Sequence, residues 1–103
     1  MSKNKYTIKF LKSAAHDLDE ILEYVFANNP SAAITIAEKI EKNLELLSEN
    51  PLMGKIPQDQ NIQNFNYRYL IVDNYLIFYS VEPKEIYIQR IFHGARNYKD
   101  ILN

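Results

Sequence analysis

The chain has 103 residues, 47% of them hydrophobic and 24% charged, with a formal net charge of −1. That length supports one modest core but not two, and the near-neutral balance excludes a general attraction to nucleic acid or an anionic membrane. With no cysteine, disulfides and thiolate metal sites are excluded as well.

The opening MSKNKYTIKF is basic but lacks the apolar run and cleavage site of a secretory signal. No segment approaches ~18 uninterrupted apolar residues. The expectation is a soluble cytoplasmic protein with no membrane partner. Residues 5–10, KYTIKF, alternate as a half-buried strand does: Tyr6, Ile8 and Phe10 fall on one side and Lys5, Thr7 and Lys9 on the other. Ser13 then stands as an N-cap. Leu18, Ile21, Leu22 and Val25, with Ala14 or Ala15 above them, form a helical stripe, while Asp17, Asp19, Glu20 and Glu23 take the other faces.

The NNP at 28–30 stops that helix and starts another, with Asn29 as cap and Pro30 in the first turn. Ala33, Ile36 or Ala37, Ile40, Leu44 and Leu47 carry a second stripe to about Ser48. So short a link predicts an antiparallel hairpin of helices. From Asn50 to Asn64 the pattern is loop, punctuated by Pro51, Gly54 and Pro57. Strand signals follow at 65–72, 75–81 and 85–92, separated by Asp73–Asn74 and by a turn near Glu82, Pro83 and Lys84. Six of the eight tyrosines lie in this last third, where aromatics pack well across pleated faces. The element order predicts an α+β fold: a small antiparallel β-sheet packed against an N-terminal α-helical hairpin (β-α-α-β-β-β), as one domain over 1–103.

No metal site is predicted, since His16 and His93 lie in different elements, and two glycines cannot build a phosphate-cradling loop. No cofactor is implied. The candidate site residues are Arg68, Arg90, His93, Arg96 and Tyr98. Arg68 and Arg90 sit in strands, where a guanidinium snorkels to the sheet rim or serves a site. Arg96 lies in a turn and either forks onto a carboxylate or phosphate of a partner or pairs with an acid of the helices. His93 titrates near neutrality. Such a group supports weak RNA cleavage without demanding it, because an ordinary arginine is a poor proton donor. Gly94 is expected to end the last strand so that Arg96 and Tyr98 lie over the open side of the sheet. The three later strands are expected to put aliphatic and phenolic side chains, not cations, at the centre of that side.

Three stretches carry a resemblance: NPLMGKIP at 50–57, NYRYLIVDNYLIFYSV at 66–81 and IYIQRIFHGARNY at 86–98. Together they resemble the RelE/ParE superfamily of toxins from bacterial type II toxin–antitoxin pairs, most closely the ParE branch of plasmid stabilisation system proteins. The resemblance runs nearly end to end. It implies a small antiparallel sheet with a helical hairpin, and neutralisation by a cognate antitoxin in a toxin–antitoxin hetero-oligomer that represses its own operon.

The branches differ in target. RelE-like and YoeB-like members cut mRNA in the ribosome, whereas ParE-like members poison DNA gyrase and have no established hydrolytic site. The nucleases carry two lysines where Tyr67 and Tyr69 stand here, and an arginine where this chain has Leu76. Arg96 matches an arginine retained after the glycine, and Asn97 stands where the YoeB-like branch has histidine. The resemblance therefore implies inhibition of DNA gyrase by protein binding through Arg68, Arg90, His93, Arg96 and Tyr98. The alternative is a ribosome-dependent mRNA endoribonuclease using Arg96, Arg90 and His93, with Arg68 and Tyr98 completing its catalytic set. Lys5, Lys9, Tyr67 and Tyr69 are the antitoxin-binding candidates. Lys3, Lys5, Lys9 and Lys12 bunch at the first strand and would pair with an acidic antitoxin tail. The aromatic-rich sheet and the apolar seam of the hairpin would accept an added strand or helix.

Overall fold

The computed structural model describes residues 5–58 and 66–94. Strand β1 (Thr7–Phe10) leads into helices α1 (Lys12–Asn28) and α2 (Pro30–Glu49). Three strands follow: β2 (Arg68–Val72), β3 (Tyr75–Glu82) and β4 (Glu85–His93). The fold is the expected α+β arrangement in the expected order. One four-stranded sheet has the order β1-β4-β3-β2, antiparallel from β2 to β4, with β1 added parallel to β4. Among the described residues, no helix is long and apolar enough to cross a membrane.

Asn29 alone joins the helices. Its backbone N–H donates to the Val25 carbonyl and closes α1, while its side-chain Oδ1 accepts from Ala32 N–H and opens α2. Pro30 occupies the first turn, as its missing N–H allows. The start of α1 departs from expectation. Its N-cap is Leu11, with no side-chain hydrogen bond, and Ser13 lies inside the helix. The Ser13 hydroxyl instead donates to the Gln89 carbonyl at 3.1 Å, a contact across the tertiary fold that no local pattern reveals.

The core forms where the helices meet one face of the sheet. Ala14, Ile40 and Leu47 pack there with Leu70, Val72, Ile77, Tyr79, Ile86, Ile88 and Ile91. Strand alternation would turn Ile88 and Ile91 to opposite faces. A bulge opposite Phe78 and Tyr79 absorbs one residue, Phe78 pairing with Arg90 and Tyr79 with Ile88, so both isoleucines face inward. The other face carries its own cluster, in which Phe78 lies 5.4 Å from Tyr69 and 5.8 Å from Phe92 between ring centroids. Phe78 and Phe92 are buried, so the centre of that face is closed rather than exposed.

The connections follow turn chemistry. Asp73, between β2 and β3, and Lys84, after Pro83, both take left-handed φ values, 53° and 65°. Asn66 does so too, at 59°, so the extended backbone of β2 begins only after it, at Arg68. The segment 50–58 is not wholly loop: Lys55 and Tyr69 exchange both backbone hydrogen bonds, at 2.8 and 2.9 Å, extending the sheet by one residue beside β2.

Candidate functional site

Among the described residues, the two candidate arginines are committed to contacts within the chain. Arg90 projects from β4, but its Nε and Nη2 donate to the two oxygens of Asp17 at 2.7 and 3.0 Å. The Ile91 N–H donates to the same carboxylate at 2.9 Å. Asp17 is therefore buried, where the helical pattern had placed it on a solvated face. β1 pairs only with residues 85–88 of β4, leaving the remaining edge of β4 bare. Helix α1 covers that edge, the Ser13 hydroxyl donating to the Gln89 carbonyl and the Asp17 carboxylate accepting from the Ile91 N–H. The guanidinium also lies 4.9 Å from the centre of the Phe92 ring. The bond to Asp17 pushes the pKa of Arg90 up, against the opposing effect of burial.

Arg68 lies at the start of β2 and donates to the carbonyls of Gly54, at 3.1 Å, and Leu52, at 3.3 Å. Tyr79 completes this clamp, donating to Pro51 O at 2.8 Å and accepting from Gly54 N–H at 2.9 Å. A Cβ on Gly54 would sit 2.5 Å from the Tyr79 oxygen, which is why glycine stands there. His93 ends β4 with its ring edge-on to Tyr75, centroids 5.6 Å apart. Gly94 follows, its N–H donating to the Asn74 carbonyl; a Cβ there would lie 3.0 Å from that oxygen. Gly94 thus allows close approach of two chain segments. Arg96 and Tyr98 lie outside the described residues.

The antitoxin candidates divide between two places. Tyr69 belongs to the aromatic cluster, and the Tyr67 hydroxyl donates to Gln89 Oε1 at 3.5 Å. Lys5 pairs with Glu49 at 3.4 Å and Lys9 with Glu85 at 2.9 Å. The Tyr87 hydroxyl, bonded to Glu85 at 2.6 Å, is the main cause lowering the Glu85 pKa, with Lys9 adding to it. Both lysines thus already have carboxylate partners.

A different feature is open. Tyr6, Ile8 and Phe10 from β1, Leu18 and Leu22 from α1, and Ala37, Ile40 and Leu44 from α2 line a cleft of about 400 Å³. Glu41, Glu45 and Ser48 complete its lining. Most of these apolar side chains are half-buried and Phe10 is exposed, so the seam of the hairpin is incompletely covered. Alternation in KYTIKF and the helical stripes foretold every apolar face of this cleft. That the faces would leave a gap was not readable, because it depends on how far β1 stands from the helices.

A family model described as the ParE toxin of type II toxin–antitoxin system, parDE, matches residues 8–98. Among solved structures, the chain is similar to one from the chromosomal ParDE toxin–antitoxin system of P. aeruginosa. That match has 23% identity and a TM-score of 0.71 and covers 88% of this chain and 98% of the other. It is also similar to a chain from the RelBE2 toxin–antitoxin complex of Mycobacterium tuberculosis. There the identity is 21%, the TM-score 0.63, and the coverage 89% and 94%. No curated protein matches.

Proposed function

The chain belongs to the family of ParE toxins of type II toxin–antitoxin systems, and from that premise we propose that it inhibits DNA gyrase by protein binding and is neutralised by a cognate antitoxin. It acts in the cytoplasm as a single toxin domain over 1–103. The solved chains it is similar to come from a ParDE system and a RelBE2 toxin–antitoxin complex, which supports a partner of the antitoxin kind. The open cleft between β1 and the helices is the surface for that partner.

The observation that carries the target reading is the Asp17–Arg90 pair. Cleaving RNA needs positive charge held ready for a phosphate that gains charge in the transition state. Arg90 spends two of its donors on a buried carboxylate that cancels its charge. Arg68 is turned onto backbone carbonyls. Tyr67, Tyr69 and Leu76 stand where RelE-like nucleases resemble one another in carrying cations. A surface so disposed favours contact with a protein over chemistry on a phosphate. Arg96 and Tyr98, with His93, are the residues through which the target would be met.

The test is a pair of reactions with the purified protein. In one it is added to gyrase, relaxed plasmid and ATP; in the other, to translating ribosomes with a mapped message. Loss of supercoiling with trapped DNA breaks, and an intact message, is the expected result. Cuts in the message with gyrase unaffected would establish the endoribonuclease instead and return Arg96, Arg90 and His93 to a catalytic role.

A further inference from the structure

Between α2 and β2 the fold pins a turn whose side chains stay in solvent. Tyr79, fully buried, donates to Pro51 O at 2.8 Å and accepts from Gly54 N–H at 2.9 Å. Arg68 donates to the carbonyls of Leu52 and Gly54, and Met53 N–H donates to Asn50 O at 3.0 Å. Yet Leu52 is 65% exposed and Met53 43% exposed. A rigid backbone thus carries aliphatic side chains that bury little of their own surface.

Ile56 and Ile71, both more than half exposed, add to the apolar surface on this side of the sheet. Leu52 stands as a ridge between two shallow clefts, one shared with Ile56, Tyr67 and Val81, the other with Asn50, Pro51 and Met53. Large apolar side chains gathered in this way mark a protein contact. Lys55 is exposed beside them, and among the described residues no ion pair reaches it. Residues 50–57 and 66–72 contain no acid. The described acids that flank them, Glu49 and Asp73, are already paired with Lys5 and Lys39. The surface is therefore aliphatic with an excess of positive charge.

We infer that the turn at 50–56 is a knob by which the toxin grips its protein target, Leu52 and Met53 entering an apolar pocket of a folded protein whose carboxylate meets Lys55. This rests on the reading of the chain as a toxin that acts by protein binding, and it adds a contact to His93, Arg96 and Tyr98. Shape and charge choose the occupant. A ridge needs a preformed pocket, which a folded protein offers and an extended segment lacks. A symmetric pair of copies would set ridge against ridge and bring Lys55 towards its own copy. The knob lies at the β2 side of the sheet, four strands away from β1, so the cleft beside β1 stays open to the antitoxin. Because Tyr79 and Arg68 hold the turn beforehand, little ordering of backbone opposes binding.

The test expresses the whole chain in bacteria without antitoxin and reads growth, and adds the purified chain to gyrase, relaxed plasmid and ATP. The Leu52→Ser/Met53→Ser double variant is expected to keep the parent's thermal midpoint and to lose growth arrest. The concentration that halves supercoiling should rise about 30-fold or more. Lys55→Glu should raise it about tenfold. Ile34→Ser, at an exposed apolar position on α2, should change neither readout. A folded double variant as potent as the parent, an equal loss in Ile34→Ser, or a parent dimer that the double variant breaks in sedimentation would overturn the inference. If the double variant melts early, Lys55→Glu decides alone, and full potency there overturns it. A parent that arrests growth with supercoiling intact overturns the gyrase reading; arrest lost in the double variant then supports the knob, and arrest retained overturns it. Gyrase inhibition shared equally by parent and variants overturns only the knob. A parent that does neither overturns both.

Discussion

Asp17 and Arg90, 73 positions apart, form a two-pronged ion pair at 2.7 and 3.0 Å whose carboxylate also receives the Ile91 N–H. Replacing Asp17 with alanine strands a charged guanidinium and a buried backbone donor together. The expected loss is about 2–3 kcal/mol, reduced from the fully buried case because Arg90 is partly exposed. Arg90→Met should cost less, since the Ile91 N–H keeps its acceptor, and, on the proposed gyrase reading, should leave loss of supercoiling unchanged. Urea unfolding and a supercoiling assay measure the two effects.

Gly54 tolerates no side chain. Its added Cβ would lie 2.5 Å from the Tyr79 oxygen, 2.7 Å from that ring and 2.9 Å from the Tyr69 carbonyl. Gly54→Ala is expected to destabilise by about 1–3 kcal/mol through overpacking. Hydrogen exchange at Lys55 and Tyr69 should rise in step, because their shared pair of bonds lies next to the clash.

Tyr79 gives the chain an alkaline limit. Burial pushes its pKa above the ordinary 10.0, outweighing the Gly54 N–H and Arg68, which favour the phenolate. A raised folded value means that its contribution is complete below pH 10.0 and is lost as pH climbs through that value. Tyr79→Phe should cost about 1–2 kcal/mol at neutral pH by leaving Pro51 O and Gly54 N–H without their partner. Its thermal midpoint should then fall less steeply above pH 10.0 than that of the parent.

Lys5 and Lys9 contribute little to stability despite their partners. Both pairs lie at the surface, with lysine side chains 60% and 51% exposed. Lys5→Ala and Lys9→Ala should each barely move the unfolding midpoint, and less again in high salt. Denaturant midpoints at two ionic strengths check this.

Ala37 lines the open cleft and can be enlarged. Ala37→Leu should leave the free chain as stable as before or raise it by about 0.5–1 kcal/mol, because it fills space that solvent now reaches. The same substitution should weaken neutralisation by the antitoxin. Thermal melting and a co-expression growth assay separate the two outcomes.

Much of the fold was legible because local chemistry and tertiary packing agree. KYTIKF alternates, NNP both stops and starts a helix, and Asp73–Asn74 and Pro83–Lys84 are turns. The failures share one cause. Ser13 reads as a cap and Asp17 as a solvated acid, yet both serve the edge of β4 that β1 is too short to cover. The bulge that turns both Ile88 and Ile91 inward is likewise set by pairing with β3. The Lys9–Glu85 pair was unreadable for the same reason, since Glu85 comes from the far end of the chain.

The four residues of β1 against the nine of β4 have a last effect. Beyond Phe10 the lane beside β4 is filled by a helix, so a visiting strand has only a short rail to follow. Repeated templating, by which sheet edges extend into fibrils, needs an uninterrupted rail. A border this brief leaves copies of the chain too little length to stack upon.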